Sequence, residues 1–141
     1  MSYSIEHVSI RCRDLEASID YFRRMFDAEV ILRRKPDESR RITFLRLGDS
    51  MLELMEMGPG SEPPEPMKHY GAHHIGIKVD DFESAYRDLQ AKGADFLGEP
   101  FEPTPGIRLV FLREPNGAVI ELAQRDPQVF QDALAKGTVD W

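Results

Sequence analysis

His73-His74-Ile75-Gly76-Ile77-Lys78-Val79-Asp80-Asp81 decides how this chain folds, because the chain contains it twice. Residues 7–14 read His7-Val8-Ser9-Ile10-Arg11-Cys12-Arg13-Asp14. Laying His7 on His74 sets Val8 on Ile75, Ile10 on Ile77, Arg11 on Lys78 and Asp14 on Asp81. The match runs on to Leu15 on Phe82, Glu16 on Glu83 and Phe22 on Leu89. A second pair of segments repeats near the end of each half, Met51-Leu52-Glu53-Leu54 against Val119-Ile120-Glu121-Leu122. Each half therefore opens on a histidine and closes on a glutamate, both on strand-like segments.

Working outward, residues 5–12 alternate as a strand, with His7, Ser9 and Arg11 on one face and Val8, Ile10 and Cys12 on the other. Asp14 can cap a helix whose apolar stripe is Leu15, Ile19, Phe22 and Phe26. A strand over 29–34, a charged loop over 33–41, a strand over 42–47, a turn at 48–50 and a strand over 51–57 complete the first half. Residues 58–72, rich in proline and glycine, read as a linker, of which Met67-Lys68-His69-Tyr70 could fold over a site. The second half follows the same plan. It has a strand over 73–79, a helix striped by Phe82, Ala85, Tyr86 and Leu89, and a strand over 94–97. A loop over 99–106 and strands over 107–112 and 118–124 follow, the last two joined by Pro115-Asn116-Gly117. In that turn Asn-Gly is expected to take positive φ at both positions. A short helix from Asp126-Pro127, striped by Val129, Phe130, Ala133 and Leu134, leads to a tail ending at Trp141.

The fold class is thus α+β. Two tandem βαβββ modules, about 4–57 and 73–124, form curved mixed sheets around a cavity, with a short C-terminal helix and tail over 125–141. The chain of 141 residues is one domain in size and can bury a core without disulfides. Its single cysteine, Cys12, falls on the apolar strand face and reads as a buried structural thiol. One cysteine and no signal-type start point to a reducing, cytoplasmic setting, and no apolar run is long enough for a membrane. A formal net charge of −7 argues against nucleic acid as a partner and leaves room for a small anion held by local arginines.

Glu53 and Glu121 each sit between apolar neighbours, so alternation turns each carboxylate away from the helix, toward the inner sheet face. A single strand histidine or glutamate is more often structural or solvated. The joint pattern is what carries weight. His7, Glu53, His74 and Glu121 supply two nitrogen and two oxygen donors at matching places in a duplicated unit. Such a set makes an open site for a divalent first-row metal. Arg108 and Arg113 could meet a substrate carboxylate or phosphate. Met51, Met55 and Met57 share the face of Glu53 and could wall a substrate.

The marks His7-x-x-x-Arg11-x-x-Asp14-Leu15-x-x-Ser18-x-x-Tyr21-Phe22, Leu52-Glu53-Leu54, His74-Ile75-Gly76 and Pro115-Asn116-Gly117-x-x-Ile120-Glu121-Leu122 resemble the vicinal oxygen chelate superfamily. That group holds glyoxalase I, methylmalonyl-CoA epimerase, extradiol dioxygenases, and the fosfomycin and bleomycin resistance proteins. The resemblance spans residues 5–124. It implies that His7, Glu53, His74 and Glu121 are metal ligands and that a small molecule is the substrate. Two such halves, or four in a homodimer, can close a cavity between the sheets, and a symmetric homodimer is expected. Four ligand-type residues favour the glyoxalase I and epimerase branches over the Fe(II) dioxygenases, so Ni, Co, Zn or Mn is expected ahead of Fe. The shared chemistry is proton abstraction beside a carbonyl through a metal-stabilised enediolate, with Glu121 as the first choice of base and Glu53 as the second.

Arg11 stands where glyoxalase I contacts the glutathione carboxylate, but the asparagine expected four residues after the first glutamate is Met57. The resemblance thus points first to a glyoxalase I-like lyase or isomerase. A methylmalonyl-CoA epimerase-like enzyme comes second, with Lys68, Arg40 and Arg41 forming a basic entrance for the thioester carrier. A non-catalytic ligand-binding protein of the resistance type is the reading from another class.

Overall fold

The computed structural model describes Ser2, residues 4–63, Glu65 and residues 68–137, the side chains of Phe130 and Ala133 excepted. Met67 of the expected flap and the tail carrying Trp141 lie outside the described residues. The chain divides into two compact units. One is Met1–Gly71 with Glu114–Ala118; the other is Ala72–Arg113 with Val119–Trp141.

The first unit holds strand β1 (His7–Arg11), helix α1 (Leu15–Phe26), and strands β2 (Glu29–Asp37), β3 (Arg40–Leu47) and β4 (Ser50–Glu56). Its sheet runs β1-β4-β3-β2, with β1 parallel to β4 and the remaining pairs antiparallel. The Asp14 carboxylate accepts from Ala17 N–H at 3.0 Å and so satisfies one orphan donor at the start of α1. Asp27 ends the helix in the left-handed region at φ 55°. The apolar stripe of α1 packs on the helix-facing side of the sheet, where Leu15, Ile19, Phe22, Leu45, Leu52 and Leu54 are buried. Burying each such side chain is worth about 1.5–3 kcal/mol.

The second unit repeats the plan with β5 (Ile75–Lys78), α2 (Phe82–Ala91), β6 (Asp95–Phe96), β7 (Ile107–Arg113) and β8 (Val119–Arg125), followed by α3 (Pro127–Lys136). Its sheet runs β5-β8-β7-β6, the same order element for element. Phe82, Leu89, Val110, Leu112, Ile120 and Leu122 form its core. The duplicated sequence is therefore a duplicated fold.

Three expectations change. The stretch 33–41 is not a loop: β2 and β3 continue through it as a hairpin. Asp37 tightens the turn by accepting from Ser39 N–H at 2.9 Å and Ser39 Oγ–H at 2.8 Å. Every residue of β2 is exposed, so no apolar alternation marks the strand. At Pro115-Asn116-Gly117 only Gly117 takes positive φ, at 95°. Asn116 instead spends its side chain on α1. Its Oδ1 accepts from the N–H groups of Arg13 and Asp14 at 2.8 and 3.0 Å, and its Nδ2 donates to Asp14 O and Ser18 Oγ. In α3, Leu134 and Val129 are exposed rather than packed, as the stripe had suggested.

Candidate functional site

In the first unit, alternation along β1 and β4 puts His7, Ser9 and Glu53 on the face away from α1. The His7 Nε2 lies 3.9 Å from Glu53 Oε1, and the Ser9 hydroxyl donates to that same oxygen at 3.0 Å. Phe44, opposite Glu53 on β3, sets its ring edge against His7 at 5.5 Å between centroids. His7 Nδ1 is 3.1 Å from the Glu6 carboxylate, which can only accept, so Nδ1 donates there and Nε2 is the nitrogen turned to Glu53.

The second unit builds the same pair. His74 Nε2 lies 3.3 Å from Glu121 Oε2, and Phe111 stands edge-on to His74 at 5.4 Å. His74 Nδ1 meets His73 Nδ1 at 2.8 Å. The support of the carboxylate differs. Gly76, paired with Glu121, replaces Ser9, and Arg125 donates to Glu121 Oε1 at 3.3 and 3.4 Å. Glu121 is buried, with 7% of its side chain exposed against 16% for Glu53.

Each unit thus aims an imidazole nitrogen at a carboxylate oxygen. An imidazole nitrogen beside a carboxylate can donate a hydrogen bond to it or, with its lone pair free, share a cation with it. Two donors bound to one ion at about 2.1 Å stand roughly 3.0–3.4 Å apart. The second pair already has that spacing and the first is slightly wider, so the donor set fits a divalent metal. Among the described residues no three His, Cys, Asp or Glu side chains gather at one point. The structure brings His7 to Glu53 and His74 to Glu121, and shows the four only as two pairs.

The expected substrate-binding residues are placed less directly. Arg11 donates to Pro59 O at 2.6 Å and reaches Met57 O at 3.5 Å, which commits part of its guanidinium to the chain following β4. Met57 is exposed. Lys68 pairs with Glu65 and Arg108 with Glu83, the latter also lying 5.3 Å over the Phe82 ring. Arg40 and Arg41, offered as part of a basic entrance, pair with Asp37 and Glu56.

Reading the sequence missed Ser9, Glu6 and Arg125. Arg125 could have been found: it occupies the place after Glu121 that Met57 occupies after Glu53, on the same strand face.

A buried polar cluster lies apart from these pairs in the first unit. Ser18 Oγ–H donates to Glu114 Oε2, and Ala118 N–H donates to Glu114 Oε1 at 2.9 Å. Burial raises the Glu114 carboxyl above the usual range, against the opposing pull of these hydrogen bonds. Burial likewise pushes the nearby Cys12 thiol up to about 11, which makes it a poor nucleophile.

The model of the Glyoxalase/Bleomycin resistance protein/Dioxygenase superfamily matches residues 4–122. The chain is 28% identical to the mitochondrial methylmalonyl-CoA epimerase of Mus musculus, over 85% of this chain and 72% of that protein. It is also 28% identical to a probable lactoylglutathione lyase of Vibrio cholerae, over 87% of this chain and 91% of that protein. Among solved structures it resembles the fosfomycin resistance protein FosX of Listeria monocytogenes, complexed with Mn(II) and a dihydroxypropylphosphonic acid. That match has a TM-score of 0.74 and 16% identity, and covers 91% of this chain and 96% of the other. These two relatives are an epimerase and a probable lyase, and a protein of the same fold is seen with Mn(II).

Proposed function

The chain belongs to the Glyoxalase/Bleomycin resistance protein/Dioxygenase superfamily, and from that premise we propose that it is a divalent-metal-dependent lyase or isomerase that moves a proton on the carbon beside a carbonyl. The observation that carries this reading is the pair of facing donors, His7 with Glu53 and His74 with Glu121, repeated at the same place in two equivalent sheets. In this reading all four side chains hold one ion, within a homodimer. The ion, when bound, supplies positive charge to the developing enolate oxygen. A glutamate takes the proton from carbon as the electron pair moves onto the carbonyl oxygen, and carbon is then reprotonated as the carbonyl reforms. Glu121 is the first candidate for that base and Glu53 the second. Phe44 and Phe111 each pack edge-to-face against one imidazole and so help to orient it.

Two finer readings share this step. The glyoxalase I-like reading needs a contact for the glutathione carboxylate. The epimerase reading needs only return of the proton to the opposite face. The engagement of Arg11 with Pro59 O and Met57 O favours the epimerase, while the epimerase and lyase relatives, each 28% identical, support both readings alike.

The test is solvent exchange. Protein loaded in turn with Ni, Co, Zn, Mn and Fe(II) is incubated in D2O with methylmalonyl-CoA, and separately with the hemithioacetal of methylglyoxal and glutathione. Metal-dependent deuterium uptake at the carbon beside the carbonyl is expected, and removal by a chelator should abolish it. No uptake from either compound under any metal would overturn the enolisation reading.

A further inference from the structure

The second unit carries a groove of about 870 Å³. It runs from Gly76, beside Glu121, past Lys78, Arg108 and Arg125. Gly76 keeps the inner end open: the nearest heavy atom to a side-chain carbon built there is Glu121 Oε1, at 3.9 Å. The first unit has Ser9 in the equivalent place, where its hydroxyl closes on Glu53.

Three cations line the groove, and they are not alike. Lys78 faces Asp80, and Arg108 is paired with Glu83 and stacked on Phe82. Arg125 is the one that reaches a carboxylate of the candidate site. Its contacts with Glu121, at 3.3 and 3.4 Å, are longer than the roughly 2.7–2.9 Å of a tight charge-assisted bond. A planar guanidinium with five donors can serve Glu121 on one edge and a second carboxylate on another. The first half carries Met57 here, so the duplication has placed a charge in only one of its two copies.

We propose that Arg125 is a specificity-determining residue that binds a carboxylate carried by the substrate next to its reacting carbonyl. The inference rests on the enolisation reading above and adds the charge of the substrate to it. An acid-bearing carbonyl compound enters along the groove, sets its carboxylate on Arg125, and so brings the adjacent carbon beside Glu121. A substrate of the same shape without the acid group lacks this anchor.

The experiment compares wild type with Arg125→Met and Arg125→Lys in two assays. The first follows deuterium exchange into methylmalonyl-CoA and into propionyl-CoA, which lacks the carboxylate. Arg125→Met should lose at least tenfold more in kcat/KM on the acid than on the neutral thioester, the excess falling chiefly on KM. Arg125→Lys should recover part of the loss. The second assay titrates malonate, and malonamide as its neutral counterpart, into metal-free protein. Malonate should bind the Met variant at least tenfold more weakly than wild type, with malonamide unchanged. An equal fall on both thioesters, which is what a role only in supporting Glu121 gives, overturns the proposal. So does equal malonate affinity in wild type and Arg125→Met. If wild type turns over neither thioester, the enolisation reading fails while the malonate titration still decides the role of Arg125.

Discussion

The first and second units present the same imidazole and the same carboxylate on the same strand face, yet they hold the carboxylate differently. Glu53 is held by the neutral Ser9 hydroxyl and Glu121 by the charged Arg125. Glu121 is also the more buried of the two. The more deeply buried carboxylate needs the stronger, charged partner, and the less buried one can rely on a neutral hydroxyl and water. Duplication has kept the donors and let the support diverge, and the divergence separates two chemically identical glutamates.

The sharpest way to break this comparison is to neutralise each glutamate in turn. Glu121→Gln should lower deuterium exchange by about 10²–10⁴-fold, the range for a positioned acid–base group. Glu53→Gln should cost less, and equal losses would dissolve the distinction. Matching deletions in the two cores come next. Leu54→Ala and Leu122→Ala each remove a buried side chain and should destabilise by about 2–5 kcal/mol in urea unfolding. The sequence equivalence of these residues predicts similar costs. Asn116→Ala sharpens the contrast from another side. It strips four hydrogen bonds from the start of α1 and should cost about 1–3 kcal/mol, with faster hydrogen exchange confined to that helix end.

The smallest effect is a dependence on pH. Burial raises the folded-state pKa of Glu114. Its stabilising contribution is therefore fully present below the ordinary carboxylate pKa and is lost as pH rises through the raised value. Glu114→Gln removes that titration. Its stability relative to wild type should rise between pH 4 and 8 in denaturant midpoints, and a constant difference would reject the assignment.

Much of this architecture was written in side-chain alternation. His7 and Glu53 fell on one face because Ile10, Leu52 and Leu54 claimed the other, and the same parity placed His74 and Glu121. The hairpin at 33–41 was hidden because both faces of β2 meet solvent, so no apolar period exists to read. The role of Asn116 was hidden for another reason. Its partners Arg13, Asp14 and Ser18 lie about a hundred positions away, and a turn motif says nothing about what its side chain reaches. Arg125 lay in plain view as the counterpart of Met57, but only the fold shows its guanidinium against Glu121. The gathering of all four donors at one ion remains the central proposal.

One measurement addresses it most directly: loading the protein with Mn(II), counting bound ions per chain, and counting coordinated imidazole nitrogens by pulsed electron paramagnetic resonance. One ion per chain with two histidine nitrogens is expected, with one nitrogen lost in His7→Ala and one in His74→Ala. Two ions per chain with one nitrogen each would show that the units bind metal separately and would contradict it.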